Sequence, residues 1–352
     1  MKKLFLILFS FLIFSCNDPV FYSISMEELP LDPRIAGPST NFAGLKNKMY
    51  VAARKRIYCY ENGTWIEFPV NGRITHLAAT TNKLFALTEN RIIRFSDTMA
   101  EETTITLDRR IQGIFASNDI LFIGTSNSEI YYLFEAEATP IQITVTGEDN
   151  FSMLCGVASD SLNNYYLCNK DGNGIFILSE NASEAAVLVD GSTGRDFTNI
   201  INLNADSIVA MSRTGRLFRV TSGGVTEIAR FSDSRRATSA LGIWTNGTDK
   251  LLLVGRQDLT NSTSTGYTHC YVEIGFNAET GDLIGESFRE PGRTSISSIS
   301  ENTNEHYTSS IGKRGINYFF QAFDGILFAS LNHGVWSYRE RSAGKFTWNA
   351  EE

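Results

Sequence analysis

Five arginines stand directly ahead of strand-like runs: Arg73 before Ile74, Arg110 before Ile111, Arg195 before Asp196, Arg236 before Ala237 and Arg314 before Gly315. A guanidinium is planar, permanently charged, and carries a fork of N–H donors that matches a carboxylate or a phosphate. If the runs behind these arginines gather round one axis, their charges converge and low-dielectric walls focus the field on an anion. The same placement also suits an architectural use. Each arginine can bridge to an acid of the neighbouring unit, for which Asp108, Asp196 and Asp233 are near in sequence.

Other chemistry is sparse. The four histidines, His76, His269, His306 and His333, include no pair at metal-ligand spacing. No Gly-x-Ser-x-Gly elbow, P-loop or calcium loop is present. The sequence therefore assigns no catalytic residue, no metal and no cofactor, and does not favour an enzyme. His76 falls on a strand that would face the axis. Besides Cys16, the cysteines are Cys59, Cys155, Cys168 and Cys270. Cys155 and Cys168 fall on adjacent strands, where a disulfide is possible but strained; buried free thiols are the other reading.

The chain has 352 residues, 42% apolar and 20% charged, which is globular rather than disordered composition. A formal charge of −8 speaks against nucleic acid as a partner, since that affinity comes largely from Lys and Arg on phosphate. Lys2 and Lys3 precede an apolar run from Leu4 to Phe14, which ends at Ser15-Cys16. As helix such a run spans roughly 16 Å, half a bilayer core, so it reads as an export signal over residues 1–15. Ile13-Phe14-Ser15-Cys16 resembles the lipobox of bacterial lipoproteins, with Phe14 larger than the pattern prefers. That resemblance implies a mature chain starting at Cys16 with thioether-linked and N-acyl chains such as palmitate, anchored in a bacterial cell envelope. More than one acyl chain makes such anchoring stable. Residues 16–40 hold four of the seven prolines, the composition of a semi-rigid tether, although Val20 to Ser25 has the pattern of a docking strand.

From there on one pattern recurs: an apolar strand, a polar turn, a second apolar strand, a turn, then a third strand. Second strands read Met49 to Ala52, Leu84 to Leu87, Leu121 to Gly124, Tyr165 to Cys168, Ile208 to Met211, Leu251 to Val254 and Leu327 to Ser330. Fourth strands are visible at Thr64 to Phe68, Ile141 to Thr144, Ala186 to Val189 and Lys345 to Trp348. Short strands in repeats of about 35–45 residues specify an all-β fold, a β-propeller of seven blades of four antiparallel strands over residues 41–349. An insertion around 290–314 carries a hairpin-like pattern, at residues 296–300 and His306 to Ser309, that allows eight. A lone blade leaves two apolar faces open, so the ring must close. Both end repeats look complete, and Val20 to Ser25 is a candidate seal for the closure. Asn277 to Asp282 resembles the strand-connecting turn of quinoprotein-type blades; occurring once, it reads as a tight hairpin. The aromatics, Trp244 and the Phe319-Phe320 pair among them, fit packing between blades.

In such a fold, loops entering inner strands and loops joining second to third strands emerge on one face. That face collects an excess of arginine, and the opposite face an excess of Asp and Glu. In plan the chain is similar to the lipid-anchored propellers of bacterial envelopes, such as the β-barrel assembly lipoprotein. The functional expectation is an envelope scaffold held at the membrane through Cys16, binding another envelope protein or an anionic ligand without catalysis. Alternatives are a tunnel-mouth enzyme acting on an anionic envelope or sugar substrate, and a surface adhesin.

Overall fold

The computed structural model describes residues 35–284, 298–299 and 316–351, apart from residues 90, 147–150, 172–173, 180–184, 232–235, 248, 258–270 and 343–344. Cys16, the export signal, Val20 to Ser25, Cys270, the His306 hairpin and Arg314 lie outside them.

Among the described residues the strands form seven consecutive antiparallel groups, numbered here as blades 1–7. Their inner strands are Ala43–Leu45, Ile74–Ala79, Ile111–Ser117, Leu154–Ser159, Phe197–Asn202, Arg236–Asn246 and Ile316–Gln321. Second strands such as Leu84–Thr88, Ile120–Thr125, Tyr165–Asn169, Ile208–Ser212 and Leu327–Leu331 are buried at every position. A strand sandwiched on both faces needs an unbroken apolar run instead of alternation, and this is why second strands stood out in the sequence. Outer strands meet solvent. Glu101–Thr106, mostly exposed, and Gly224–Phe231 are fourth strands with too little apolar pattern to be recognised beforehand.

Seven apolar clusters lie between the groups, each fed by two consecutive blades. Tyr50 and Leu84 meet between blades 1 and 2, Phe85 and Leu121 between 2 and 3, and Phe122 and Tyr165 between 3 and 4. Tyr166 and Phe218 meet between blades 4 and 5, Met211 and Leu252 between 5 and 6, and Trp244 and Trp336 between 6 and 7. The last cluster returns to the start, with Phe328 of blade 7 edge-on to Tyr60 at 4.8 Å and to Trp65 at 5.7 Å. The sheets therefore stand radially in a closed ring. A solenoid or a pair of sandwiches has no such returning interface.

Among the described residues, blades 1 and 7 are each built from four strands of their own, and Val20 to Ser25 lies outside those residues. The seam is polar as well as apolar. Glu351, 5% exposed, accepts from Trp65 Nε1 at 2.6 Å, from Ser337, and from Arg339 Nη2 through both carboxylate oxygens at 2.6 and 2.7 Å. The expected tether ends earlier than Thr40. Ile35 is fully buried, Ala36 bridges Gly334, and Ser39 bridges Ala53 while its hydroxyl meets Ser330 Oγ at 2.7 Å.

Adjacent blades share a direction, so where their outer strands touch they pair in parallel. Ile141–Thr146 does so with Ala185–Leu188, and Ser298–Ile299 of the insertion joins Gly224–Phe231 in the same way.

Candidate functional site: the arginine-bearing face

The turns from second to third strands are closed by buried hydroxyls. Thr88, Thr125 and Ser212 end their strands and donate to the carbonyls of Arg91, Glu129 and Arg216 at 3.2–3.4 Å. Neighbouring loops lock onto these turns through the backbone: Ile74 N bonds Arg54 O at 2.8 Å, Ser126 N bonds Arg110 O at 2.9 Å, and Arg213 N bonds Asp196 O at 2.7 Å. Main chain thus fixes the face, and the side chains of its arginines are left over.

The five sequence-selected arginines divide. Arg73 and Arg110 are exposed, and among the described residues neither has a carboxylate partner. Arg195 is half-buried: its Nε donates to Gly191 O at 2.9 Å and its guanidinium lies 4.4 Å from the centre of the fully buried Phe218 ring, a cation–π contact. Arg195 is part of the fold. Arg236 begins the inner strand of blade 6, its side chain outside the described residues, as is all of Arg314. Among the described residues the bracing arrangement, arginine to a neighbouring blade's acid, does not occur at Arg73, Arg110 or Arg195, and Asp233 lies outside them. Asp196 pairs instead with Arg213 at 2.9 Å, and Arg109 with Glu129 at 3.6 Å. Both are contacts between a connecting loop and the blade it leads into. Exposed Arg54 and Lys55 adjoin Arg73 through the loop bonds above, and Arg91 reaches Asn71 O at 2.7 Å. The sequence reading had placed these three on this face but not singled them out.

The opposite face uses its charges differently. A side-chain contact crosses every junction there. Lys46 pairs with Asp97 at 2.8 Å, Asn82 bonds Glu135 at 2.7 Å, Ser117 bonds Ser159 at 2.8 Å, and Ser161 bonds Asp206. Arg219 pairs with Asp282 at 2.8 Å, Gln321 takes the N–H of Thr245 at 2.8 Å, and Tyr60 donates to Asp324 at 2.7 Å. The bonds from Lys46 and Arg219 hold Asp97 and Asp282 below the usual carboxylate range. Burial works to raise Glu135, but bonds from Asn82 and Thr80 outweigh it and hold it low. The Asn277–Asp282 turn is indeed a tight hairpin, its Asn277 side chain accepting from Glu279 N and Thr280 N. Gly281 in this turn has φ 69° and sits so close to Ser207 that no Cβ fits.

A cavity of about 220 Å³ lies within the ring, lined by Asn41, Gly44, Ala78, Phe115, Gly156 and Asn199 among others. His76 lies beside Phe115, ring centres 6.3 Å apart and planes tilted by 58°, and its Nδ1 has no hydrogen-bond partner among the described residues. Burial, with the Lys170 charge second, pushes His76 down to about 4, so it is neutral at ordinary pH. Among the described residues no three His, Cys, Asp or Glu side chains gather closely enough to hold a metal. Cys155 and Cys168 are buried free thiols, their sulfurs 3.1 Å apart, and burial pushes the Cys168 thiol up.

No family model matches the chain, and no curated protein matches it. Solved structures do. YCF48 bound to a D1 peptide is 10% identical with a TM-score of 0.55, over 87% of this chain and 93% of that one. Virginiamycin B lyase from Staphylococcus aureus is 14% identical at TM-score 0.57, over 87% and 96%. A chain of the mitotic checkpoint complex is 11% identical at TM-score 0.59, over 93% and 92%. The chain is a β-propeller. At these identities the likeness concerns the fold, and fold does not fix function.

Two devices of this propeller escaped the sequence reading. Near the start of inner strands the pairing slips by a residue, at Thr75, Gln112, Cys155, Thr198 and Asn317. The side chains of Thr75, Cys155 and Thr198 donate to the second-strand carbonyls of Leu87, Cys168 and Met211 beside each bulge. Bulges near a rim re-aim what precedes them, and Arg73 and Arg110 each lie two residues before one. The second device is an amide bridge between inner strands: Asn41 to both backbone groups of Leu77, Asn202 to Ser159, and Gln321 to Thr245. A side-chain amide has the donor and acceptor of a peptide group, and so completes an open strand edge.

Proposed function

We propose that this propeller is a lipid-anchored, non-catalytic binding module of a bacterial cell envelope, and that the arginine-bearing face receives an anionic ligand. The observation that carries the reading is the difference between cations on the two faces. Lys46, Lys48 and Lys83 on the acidic face each pair with a carboxylate, at 2.8, 3.2 and 2.5 Å. Arg73 and Arg110 face solvent with no such partner among the described residues. An arginine that stabilises nothing in its own fold is free to meet an external carboxylate or phosphate. The lipobox-like Ile13 to Cys16 supports the anchor. YCF48 with its D1 peptide shows a similar fold used for binding, whereas the lyase shows one used for catalysis. Among the described residues this face offers exposed arginine, with Glu129 and Asp196 held in ion pairs.

The test is chromatographic. Without Lys2 and Lys3 the chain from position 16 has a net charge of −10, and should pass straight through an anionic resin unless it carries a local basic patch. The mature chain from position 16, with Cys16→Ser, is expected to be retained on phosphocellulose at 50 mM salt and released as salt rises, about where Debye screening removes surface attraction. Arg73→Ala with Arg110→Ala should elute earlier. Passage of the unmodified face in the void volume would contradict the reading. The intact mass of the exported chain reports separately whether Cys16 carries lipid.

A further inference from the structure

We infer that the anionic ligand of this face is the headgroup plane of the membrane that holds the anchor, so that the propeller lies with its arginines on the lipid and its acidic face outward. The inference rests on the proposed reading of the face and adds two independent facts of geometry. First, the chain leaves the ring on the arginine-bearing side. Gly37 N bonds His333 O at 3.3 Å and Ala36 bridges Gly334, both in the second-to-third-strand turn of blade 7, and the guanidinium of Arg54 packs beside Gly37. Residues 17–34 separate this exit from Cys16, a reach of about 60 Å when fully extended. The tether therefore pulls from the edge that carries Arg54, Lys55 and Arg73.

Second, charge is segregated along the axis. Arg54, Lys55, Arg73, Arg91, Arg109 and Arg110 cluster over blades 1–3 on the exit side, where they outnumber Glu89, Asp108 and the Glu129 that pairs with Arg109, while carboxylates dominate the other. A tether alone sets distance but no orientation. Near an anionic leaflet such a molecule feels attraction on one face and repulsion on the other, both confined within roughly 8–10 Å of the surface. Tethering keeps the local concentration of lipid high enough for that short-range preference to act. A soluble acidic protein would gain from the charge but has no reason to share the side of the exit.

Co-sedimentation tests this with the unlipidated mature chain (Cys16→Ser), on vesicles of phosphatidylglycerol and phosphatidylcholine in equal parts and on phosphatidylcholine alone. Partitioning at 0.1 M salt should be at least about tenfold greater on the anionic vesicles and should vanish at 0.5 M. Each basic residue at a surface contributes about a fivefold factor, so Arg54→Ala, Arg73→Ala and Arg110→Ala together should weaken it on the order of a hundredfold, with an unchanged thermal melt. On the same vesicles the lipidated chain should show Lys55 protected from an impermeant acylating reagent, and Lys46 and Lys83 no less reactive than on neutral lipid. Equal partitioning on both vesicles, or equal protection of both faces, overturns the inference. So does a soluble polyglutamate that outcompetes anionic vesicles at matched charge, which would assign the face to an acidic protein. Retention on phosphocellulose without vesicle selectivity defeats this inference alone; passage through the resin defeats the anionic-ligand reading as well.

Discussion

The two faces of the ring carry comparable numbers of charged loops and use them in opposite ways. On the acidic face, carboxylates reach across blade junctions, as Asp97 does to Lys46 and Asp282 to Arg219. On the other face, the ion pairs of the connecting loops join each loop to its own blade, as Arg213 with Asp196, and the main chain does the rest. A ring of separate sheets needs contacts at every junction. One set of loops supplies them through side chains, which leaves the other set free to carry unpaired charge. Fixed architecture and available charge are separated by the height of a strand.

That contrast breaks most visibly where a bracing carboxylate is also buried. Glu351 gathers Trp65 from blade 1 with Ser337 and Arg339 from blade 7. Glu351→Ala strands an arginine and two further donors at the closure, and should cost about 3–5 kcal/mol in denaturant unfolding. Loss of under about 1 kcal/mol would mean that the apolar cluster alone holds the seam.

A smaller effect comes from pH. His76 is held at about 4 in the ring against an ordinary value of 6.5. The unfolded chain thus takes up a proton, between pH 6.5 and 4, that the folded chain refuses. Stability is whole above pH 6.5 and declines as pH falls towards 4, by about 2–3 kcal/mol for this group. His76→Gln should flatten that decline in melts across the window; an identical slope would place His76 in contact with bulk water. Asp97, Asp282 and Glu135 act lower down. Their folded values are depressed, so their contribution is present above the ordinary carboxylate range and lost as pH drops through the folded ones.

The second strands were legible because burial on both sides demands unbroken apolar runs such as Leu84 to Leu87. The charge sorting was legible too, since it follows from topology once the repeats are aligned. Outer strands such as Glu101–Thr106 were not, because a solvated edge selects little. Pro33 and Pro38 made residues 35–40 look like tether, yet Ile35 is fully buried and Ser39 sits against blades 1 and 7; sequence composition does not report a docking partner some 290 residues away. The same distance hid the amide bridges, where Asn41 and Gln321 are ordinary polar residues until the neighbouring strand is in place. Of the five arginines, position alone could not separate Arg195, which covers Phe218, from Arg73 and Arg110, which are exposed.

The division of labour between the faces is tested most directly by two triple variants measured side by side for melting temperature and for binding to anionic vesicles. Asp97→Ala, Asp206→Ala and Asp282→Ala remove contacts at three junctions. Without these three braces the melting temperature should fall by roughly 3–6 °C, and vesicle binding should stay intact. Arg54→Ala, Arg73→Ala and Arg110→Ala should abolish most of the binding and move the melting temperature by less than about 2 °C. An arginine triple that melts as early as the aspartate triple would show that both faces brace the ring, and would contradict the account.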